Sequence, residues 1–213
     1  MSWIYRLLRF ISRMLFIFFI WQILLRIFRR FVHFPVPSFM AVFLDSRLRK
    51  MMQPPAQVVD WAGIEKGMHV LEVGPGPGTF TMEAAARVGE SGRVTAVDIS
   101  PAMVARLEAR VEQAGAANVT PRVAPAYELP LPNESVERVF LVTVLGEIPD
   151  RERALAEFRR VLKPDGLLAV GEFMLDPDFP MPQTVVSWCR PVGFQLADLN
   201  GNVLHYVALF RKS

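Results

Sequence analysis

The sequence predicts an α/β domain with a mostly parallel sheet and an antiparallel last strand, preceded by an apolar N-terminal segment. A short apolar strand runs into a turn with three glycines and then into a helix over residues 70–88. A near-continuous apolar run at 138–145 is typical of a central parallel strand that is buried on both faces. Near the end of the chain, two alternating segments flank Asn200-Gly201, which indicates a hairpin.

The length and charge of the chain predict a domain with an appendage. Its 213 residues allow one domain of about 150 residues and a separate leader. Residues 1–53 carry nine basic residues against one acidic residue, whereas the remainder has a net charge of −5. A basic leader indicates an anionic membrane surface or a nucleic acid as its partner. The single cysteine, Cys189, excludes a disulfide framework and favours a reducing compartment.

The apolar content of the leader favours the membrane. With Arg13 and Arg26 reaching outward, a helix over residues 10–28 would be ~28 Å long, just enough to span a bilayer core of roughly 30 Å. The flanking arginines lie on opposite helix faces, which favours a spanning helix over one lying in the membrane plane. Because more basic residues follow the segment than precede it, we expect a single N-terminal membrane anchor at 1–53 and a cytoplasmic domain at 54–213.

The glycine turn carries the first functional signal. Residues 72–78 read Glu-Val-Gly-Pro-Gly-Pro-Gly. A dinucleotide fingerprint requires a sixth-position glycine where this chain has Thr79, and Pro75 and Pro77 have no N–H to offer a phosphate. A nucleoside ligand without a phosphate fits better. S-adenosylmethionine (SAM) is such a ligand, and Glu72 could complement its positively charged sulfonium and ammonium groups.

Residues 72–78 resemble the first motif of the class I SAM-dependent methyltransferases. The resemblance implies a Rossmann-like, seven-stranded sheet and SAM as the cofactor. Asp98 ends the next predicted strand, 22 residues after Gly76, where the family has a carboxylate that holds the ribose hydroxyls. Ile99 would then cover the adenine. The cofactor-binding residues that the resemblance implies are Glu72, Gly74, Gly76, Gly78, Asp98, Ile99 and Ala126.

A second stretch resembles the family with one departure. Residues 125–137 are similar to its D-A-x-x-L-P-F-P-x-x-S-F-D segment, but Pro125 replaces the aspartate that receives the adenine amino group. The amide of Ala126 could still reach the adenine ring, and Tyr127 could pack on it. The departure leaves a non-catalytic SAM-binding protein open as an alternative.

Two carboxylates follow the strands that would border an acceptor. In an open α/β sheet, ligands bind beyond the carboxyl ends of the strands, where Glu147 and Glu172 are expected. If the acceptor must lose a proton, the candidate catalytic residues are Glu147, Glu172 and Tyr127. Glu147 is equally well explained as a loop carboxylate or a helix cap. By its place in the chain, the segment 31–62 would fold over the acceptor.

These features predict a SAM-dependent methyltransferase that acts at a membrane on a lipid-like acceptor, either a phospholipid amine headgroup or an isoprenoid quinone. A membrane-localised methyltransferase of a protein partner and a non-catalytic scaffold remain alternatives. Nucleic acid is disfavoured as a substrate because the predicted domain is acidic and lacks an Asn/Asp-Pro-Pro-Tyr-like motif. The sequence shows no metal-ligand cluster and gives no indication of an oligomeric state.

Overall fold

The computed structural model describes residues 46–176 and 178–213, together with positions 3, 5–7, 9, 10, 12–14, 16, 17 and 20. The chain divides into two compact units, Met1–Pro35 and Val36–Ser213. The described positions of the first unit are helical and exposed. The predicted boundary between residues 1–53 and residues 54–213 stays a prediction.

The predicted membrane anchor requires a correction. Much of the proposed spanning segment, residues 10–28, lies outside the described residues. Where the structure does describe the chain, no helix combines the length and the apolar content that crossing a bilayer requires. The predicted localisation, a single N-terminal membrane anchor with a cytoplasmic catalytic domain, is therefore wrong. It depended on extending a charge-free run of twelve residues, ~18 Å as a helix, across Arg13 and Arg26.

Helices and strands alternate through the second unit. The helices are α1 (Arg47–Met52), α2 (Pro55–Trp61), α3 (Thr79–Val88), α4 (Pro101–Ala114), α5 (Arg151–Val161) and α6 (Pro182–Cys189), with short 3-10 helices at Leu145–Glu147 and Arg190–Val192. The strands are β1 (His69–Val73), β2 (Arg93–Asp98), β3 (Val119–Val123), β4 (Val136–Val142), β5 (Leu162–Phe173), β6 (Phe194–Gly201) and β7 (His205–Lys212).

The seven strands form one sheet in the order β3-β2-β1-β4-β5-β7-β6. Strand β7 runs antiparallel to both β5 and β6, and the other neighbouring strands pair in parallel. The predicted seven-stranded, mostly parallel sheet with an antiparallel last strand is confirmed. The strand order reverses between β1 and β4, and an open sheet of this kind binds its ligands at such a reversal, beyond the carboxyl ends of the strands.

Local sequence signals explain where several elements begin. The Ser100 hydroxyl accepts a hydrogen bond from the Met103 amide at the start of α4, and Asp150 caps α5 through the Arg153 amide at 3.1 Å. The last hairpin turns later than Asn200-Gly201, because β6 continues through Gly201 and the Asn202 side chain then accepts the Leu204 amide at 2.8 Å.

Apolar side chains cover both faces of the sheet. In β1, Leu71 packs into one core cluster with α5, and Val70 packs into the other with α3. In β4, Val139 and Phe140 divide between the same two clusters. Each such side chain contributes about 1.5–3 kcal/mol by its burial, so the strands are fixed from both sides. Their carboxyl ends then hold polar side chains in defined positions.

Candidate functional site

The glycine turn joins β1 to α3, and its three glycines have different surroundings. Gly74, Gly76 and Gly78 all have positive φ angles. A Cβ atom on Gly74 would lie 2.5 Å from Cγ2 of Val144, and one on Gly78 would lie 2.5 Å from Cδ1 of Leu107. A Cβ atom on Gly76 would have no atom of the described chain within 4 Å. Packing therefore requires two of the glycines, whereas Gly76 borders open space in which a ligand can approach the backbone.

Glu72 is a buried carboxyl beside this turn. Its side chain is 2% exposed, and its Oε2 atom has no hydrogen-bond partner among the described residues. Burial raises the pKa of Glu72 to about 8; the Thr81 hydroxyl opposes the rise and the Asp98 carboxylate adds to it. A buried polar atom without a partner requires an explanation. A cationic ligand provides one, since it would stabilise the ionised carboxylate.

Asp98 at the end of β2 faces the same turn. Its Oδ1 atom accepts the Ser100 amide at 2.8 Å. Burial raises the pKa of Asp98, and the backbone N–H groups of Ser100 and Gly76 oppose that rise. The structure therefore brings Glu72, Gly76 and Asp98 together at the carboxyl ends of β1 and β2. The neighbouring Ile99 side chain is 59% exposed and is available to cover a ligand.

The segment after β3 approaches this site from one side. The Ala124 amide donates to the Asp98 carbonyl at 3.1 Å, which brings the chain around Pro125 and Ala126 to the end of β2. The Tyr127 ring lies 4.8 Å from the guanidinium carbon of Arg153, so this residue stands beside α5. The roles assigned to Ala126 and Tyr127 stay predictions.

A second group of charged residues lies beyond the carboxyl ends of β4 and β5. Glu172, in β5, is 2% exposed, and its Oε1 atom has no hydrogen-bond partner in the described part of the chain. Its pKa is raised well above the ordinary value by burial and then by Asp176, Glu147 and Asp178, while Arg49 opposes the rise. The structure thus brings Glu147 and Glu172 together, as their positions in the sequence predicted.

Arg49 and Thr143 belong to this group and were missed by the sequence reasoning. The Arg49 Nη2 atom donates to the Thr143 hydroxyl at 3.1 Å, and the guanidinium carbon lies 5.7 Å from the centre of the Phe173 ring. Thr143 has a φ of 56°, which strains a β-branched residue. A signal for Arg49 existed, because it is a basic residue in the segment that was predicted to fold over the acceptor.

The loops after β4 and β5 support each other. Arg151 donates to the Gly146 carbonyl at 3.1 Å and to the Ile148 carbonyl at 3.3 Å, which fixes the loop after β4. A Cβ atom on Gly146 would lie 3.1 Å from the Asp178 carbonyl oxygen, so the loop after β5 packs directly against it. Their contact places the carboxylates of both loops at one edge of the sheet.

Comparison with known proteins agrees with this geometry. Residues 70–166 match the family model described as a methyltransferase domain. The chain is 37% identical to a ubiquinone/menaquinone biosynthesis C-methyltransferase UbiE from Psychromonas ingrahamii over 116 residues, 54% of this chain and 46% of that protein. It is 32% identical to an arsenite methyltransferase from Halobacterium salinarum over 120 residues, 56% of this chain and 31% of that protein.

The fold has a close counterpart among solved structures. A SAM-dependent methyltransferase from Aquifex aeolicus superposes with a TM-score of 0.78 at 24% identity, covering 83% of this chain and 98% of that chain. Residues 70–166 therefore match a methyltransferase domain, and the fold of the chain is that of the superposed structure. The chain spans about half the length of the curated relatives it matches.

Proposed function

We propose that the chain is a SAM-dependent methyltransferase that binds its cofactor at Glu72, Gly76 and Asp98. The observation that carries the proposal is the convergence of these residues: a buried carboxyl with an unpaired oxygen, a glycine that borders open space and a strand-end carboxylate. Each fits one part of SAM. Glu72 complements its positive charge, Gly76 lets the ligand approach the backbone, and Asp98 accepts hydrogen bonds from the ribose hydroxyls.

The chemistry requires little covalent participation by the protein. When bound, SAM supplies an electrophilic methyl group: the acceptor's electron pair forms the new bond, the carbon–sulfur pair stays on sulfur, and the acceptor releases a proton. The protein's residues position the acceptor and exclude water. Glu147 and Glu172 stand where an acceptor would lie, and an ionised carboxylate there could receive the released proton.

The acceptor that we propose is a lipid-like molecule with a hydroxylated aromatic ring, of the isoprenoid quinone type. The relatives named as ubiquinone/menaquinone biosynthesis C-methyltransferases support this choice. A guanidinium and several carboxyl groups at one edge of the sheet provide donors and acceptors for ring hydroxyls. An arsenic(III) acceptor fits less well, because soft centres prefer thiolates and burial raises the pKa of the single cysteine, Cys189, to about 12.

A second acceptor class is favoured by one observation. The carboxyl groups of Glu147, Glu172, Asp176 and Asp178 outnumber the Arg49 guanidinium in the group that interacts with Glu172. A cationic amine, such as that of an aminophospholipid headgroup, would favour the ionised form of these carboxyl groups, which could then take up its proton on methylation.

Two experiments test the proposal. Titration calorimetry of the full chain with SAM measures cofactor binding. An absence of binding would refute the proposal that the chain is a SAM-dependent methyltransferase. Incubation with SAM labelled in its methyl group and with a lipid extract, a soluble hydroquinone, ethanolamine or a protein fraction then identifies the acceptor class. We expect the label in the ring compounds. Label confined to the amine would favour the second class, label confined to protein would exclude both, and binding without any transfer would indicate a scaffold.

A further inference from the structure

Arg49 is held over the carboxyl ends of β4 and β5 by its own short helix. The Ser46 hydroxyl accepts the Arg49 amide at 3.3 Å and so caps the first turn of α1. From there the side chain reaches Thr143, just after the end of β4, with a hydrogen bond of 3.1 Å. The guanidinium also lies over the ring of Phe173, the last residue of β5. Arg49 therefore bridges the two strand ends at which the acceptor is expected.

The site contains two buried polar atoms that lack partners. Among the residues that the structure describes, no hydrogen-bond partner is present for the Arg49 Nε–H or for Glu172 Oε1. An unsatisfied buried polar group destabilises the folded protein, and more so where the group is charged. A pair of such groups at the end of the sheet is explained if a ligand with its own polar atoms completes them.

The backbone of Thr143, the hydrogen-bond partner of Arg49, is strained, and this strain supports a binding role. Thr143 is held at a φ of 56° while its amide donates to the Gly171 carbonyl at 2.8 Å. Strain of this kind persists where surrounding contacts enforce it, and it concentrates at functional sites. Here it directs the hydroxyl of Thr143 to the guanidinium, so Arg49 presents its remaining donors in a fixed orientation.

We propose that Arg49 binds an oxygen substituent of the acceptor through its Nε–H and stabilises that oxygen as a phenolate. This inference rests on the proposed function and adds to it the group that selects the acceptor. An Arg donor matches an oxygen and repels the charged form of an amine, so Arg49 favours a hydroxylated ring over an amine. A phenolate raises the electron density of the adjacent ring carbon, which is the atom that would form the new carbon–carbon bond.

The proton balance follows from the same residues. The phenolic O–H loses its proton before transfer, and the ring carbon loses its own proton after the methyl group is attached, which restores the aromatic ring. The phenolate then recovers a proton, so the reaction releases one proton in all. Glu147 lies close enough to Glu172 and Arg49 to influence both groups, which places a carboxylate beside the proposed oxygen site to receive that proton.

The probe for this proposal is 4-nitrocatechol, a soluble hydroxylated ring whose phenolate absorbs visible light. Titration of the full chain with 4-nitrocatechol, in the presence of SAM, should show that the bound probe ionises at a lower pH than the free probe. Arg49→Gln should remove that shift and weaken phenolate binding about tenfold or more. Methyl transfer to a hydroquinone should fall about 10²-fold, as expected for the loss of one donor to a developing anion.

Two further variants make the test decisive. Arg47→Gln removes an exposed arginine of the same helix and should leave both the spectrum and the transfer rate unchanged. Arg49→Lys keeps the charge but removes the Nε–H donor, so it should weaken phenolate binding about tenfold and keep the affinity for SAM, even if Arg49→Gln does not fold.

The outcomes separate this proposal from the proposed function. An unshifted spectrum with the wild-type protein, or equal shifts with wild type and Arg49→Lys, would overturn the role of Arg49. Calorimetry with SAM on the same preparations tests the proposed methyltransferase function independently of Arg49. If SAM binding and methyl transfer do not depend on Arg49, the proposed methyltransferase function is retained and only the role of Arg49 is rejected.

Discussion

Glu72 is a carboxyl whose charge depends on what binds beside it. Burial raises its pKa to about 8, so most of it is protonated at neutral pH. The positive groups of SAM favour the ionised form, and binding should therefore release a proton. We expect the affinity for SAM to increase with pH up to about 8. Calorimetry in buffers with different ionisation enthalpies measures the released proton directly.

Replacement of the carboxyl by an amide isolates this effect. Glu72→Gln should weaken SAM binding about tenfold or more near pH 8, because a charge-assisted contact is lost. It should also remove the pH dependence that Glu72 contributes. Glu90→Gln, which changes an exposed carboxylate after α3, serves as the control and should alter neither quantity. An unchanged pH dependence in Glu72→Gln would show that another group binds the cation.

The same residue makes the ligand-free protein less stable as the pH rises. Because the folded-state pKa of Glu72 is raised from 4.5 to about 8, the folded protein holds this proton more tightly than the unfolded chain does. The resulting stabilisation is complete below pH 4.5 and is lost between pH 4.5 and about 8. Burial lowers the pKa of His69 and His205, which act with the opposite sign in part of that range.

The measurement must therefore be a difference between two proteins. Urea unfolding of wild type and Glu72→Gln at several pH values gives their free energies of unfolding. The stability of wild type relative to the variant should decrease steadily from pH 4.5 to 8. A difference that does not change with pH would mean that Glu72 titrates normally in the folded protein.

In the turn between β1 and α3, we expect Gly76 to serve ligand binding and Gly78 to serve packing. Gly76→Ala should cost about 1–2 kcal/mol of stability for the positive φ and create no clash, yet it should abolish SAM binding, because its Cβ enters the space beside the turn. Gly115, just after α4, has a φ of 61° and equally open surroundings. Gly115→Ala is therefore the control: it should reduce stability by the same amount and leave SAM binding intact.

For Gly78, the third glycine of the turn, we expect the main effect of a substitution to be on stability. Gly78→Ala would bring a Cβ within 2.5 Å of the Leu107 side chain at a φ of 85°, so its stability loss should exceed that of Gly76→Ala. Thermal unfolding of the three variants, followed by calorimetry with SAM, tests both predictions. Retained SAM binding in Gly76→Ala would contradict the position assigned to the ligand.

The sequence predicted those parts of the site that depend on local structure. A strand, a glycine turn and a helix follow one another along the chain, and Asp98 is fixed by the next strand of the same unit. Arg49 could not be placed in this way, because its partner Thr143 lies 94 residues away in the chain and the two residues meet only in the folded protein. The charge count of residues 1–53 included Arg49 among the groups that face a membrane, whereas in the structure Arg49 interacts with the carboxyl groups of Asp176, Glu172 and Glu147.

The proposed cofactor site connects three strands that are distant from one another in the chain. Glu72 lies in β1, Asp98 ends β2, and the Ala124 amide ties the end of β3 to Asp98. A ligand that contacts all three strands binds the folded state and not the unfolded chain. Its binding therefore stabilises the unit Val36–Ser213 as a whole.

The size of that stabilisation can be predicted and measured. SAM at a free concentration of 100 times its Kd should add about 2.7 kcal/mol, which corresponds to an increase in Tm of roughly 5–10 °C for a protein of this length. Asp98→Asn should lose most of the increase at the same SAM concentration, because the ribose hydroxyls lose their charged acceptor. Asp165→Asn, an exposed control in β5, should keep it. Equal increases in Tm for both variants would show that SAM binds without Asp98, since thermal stabilisation depends only on contacts made in the folded state.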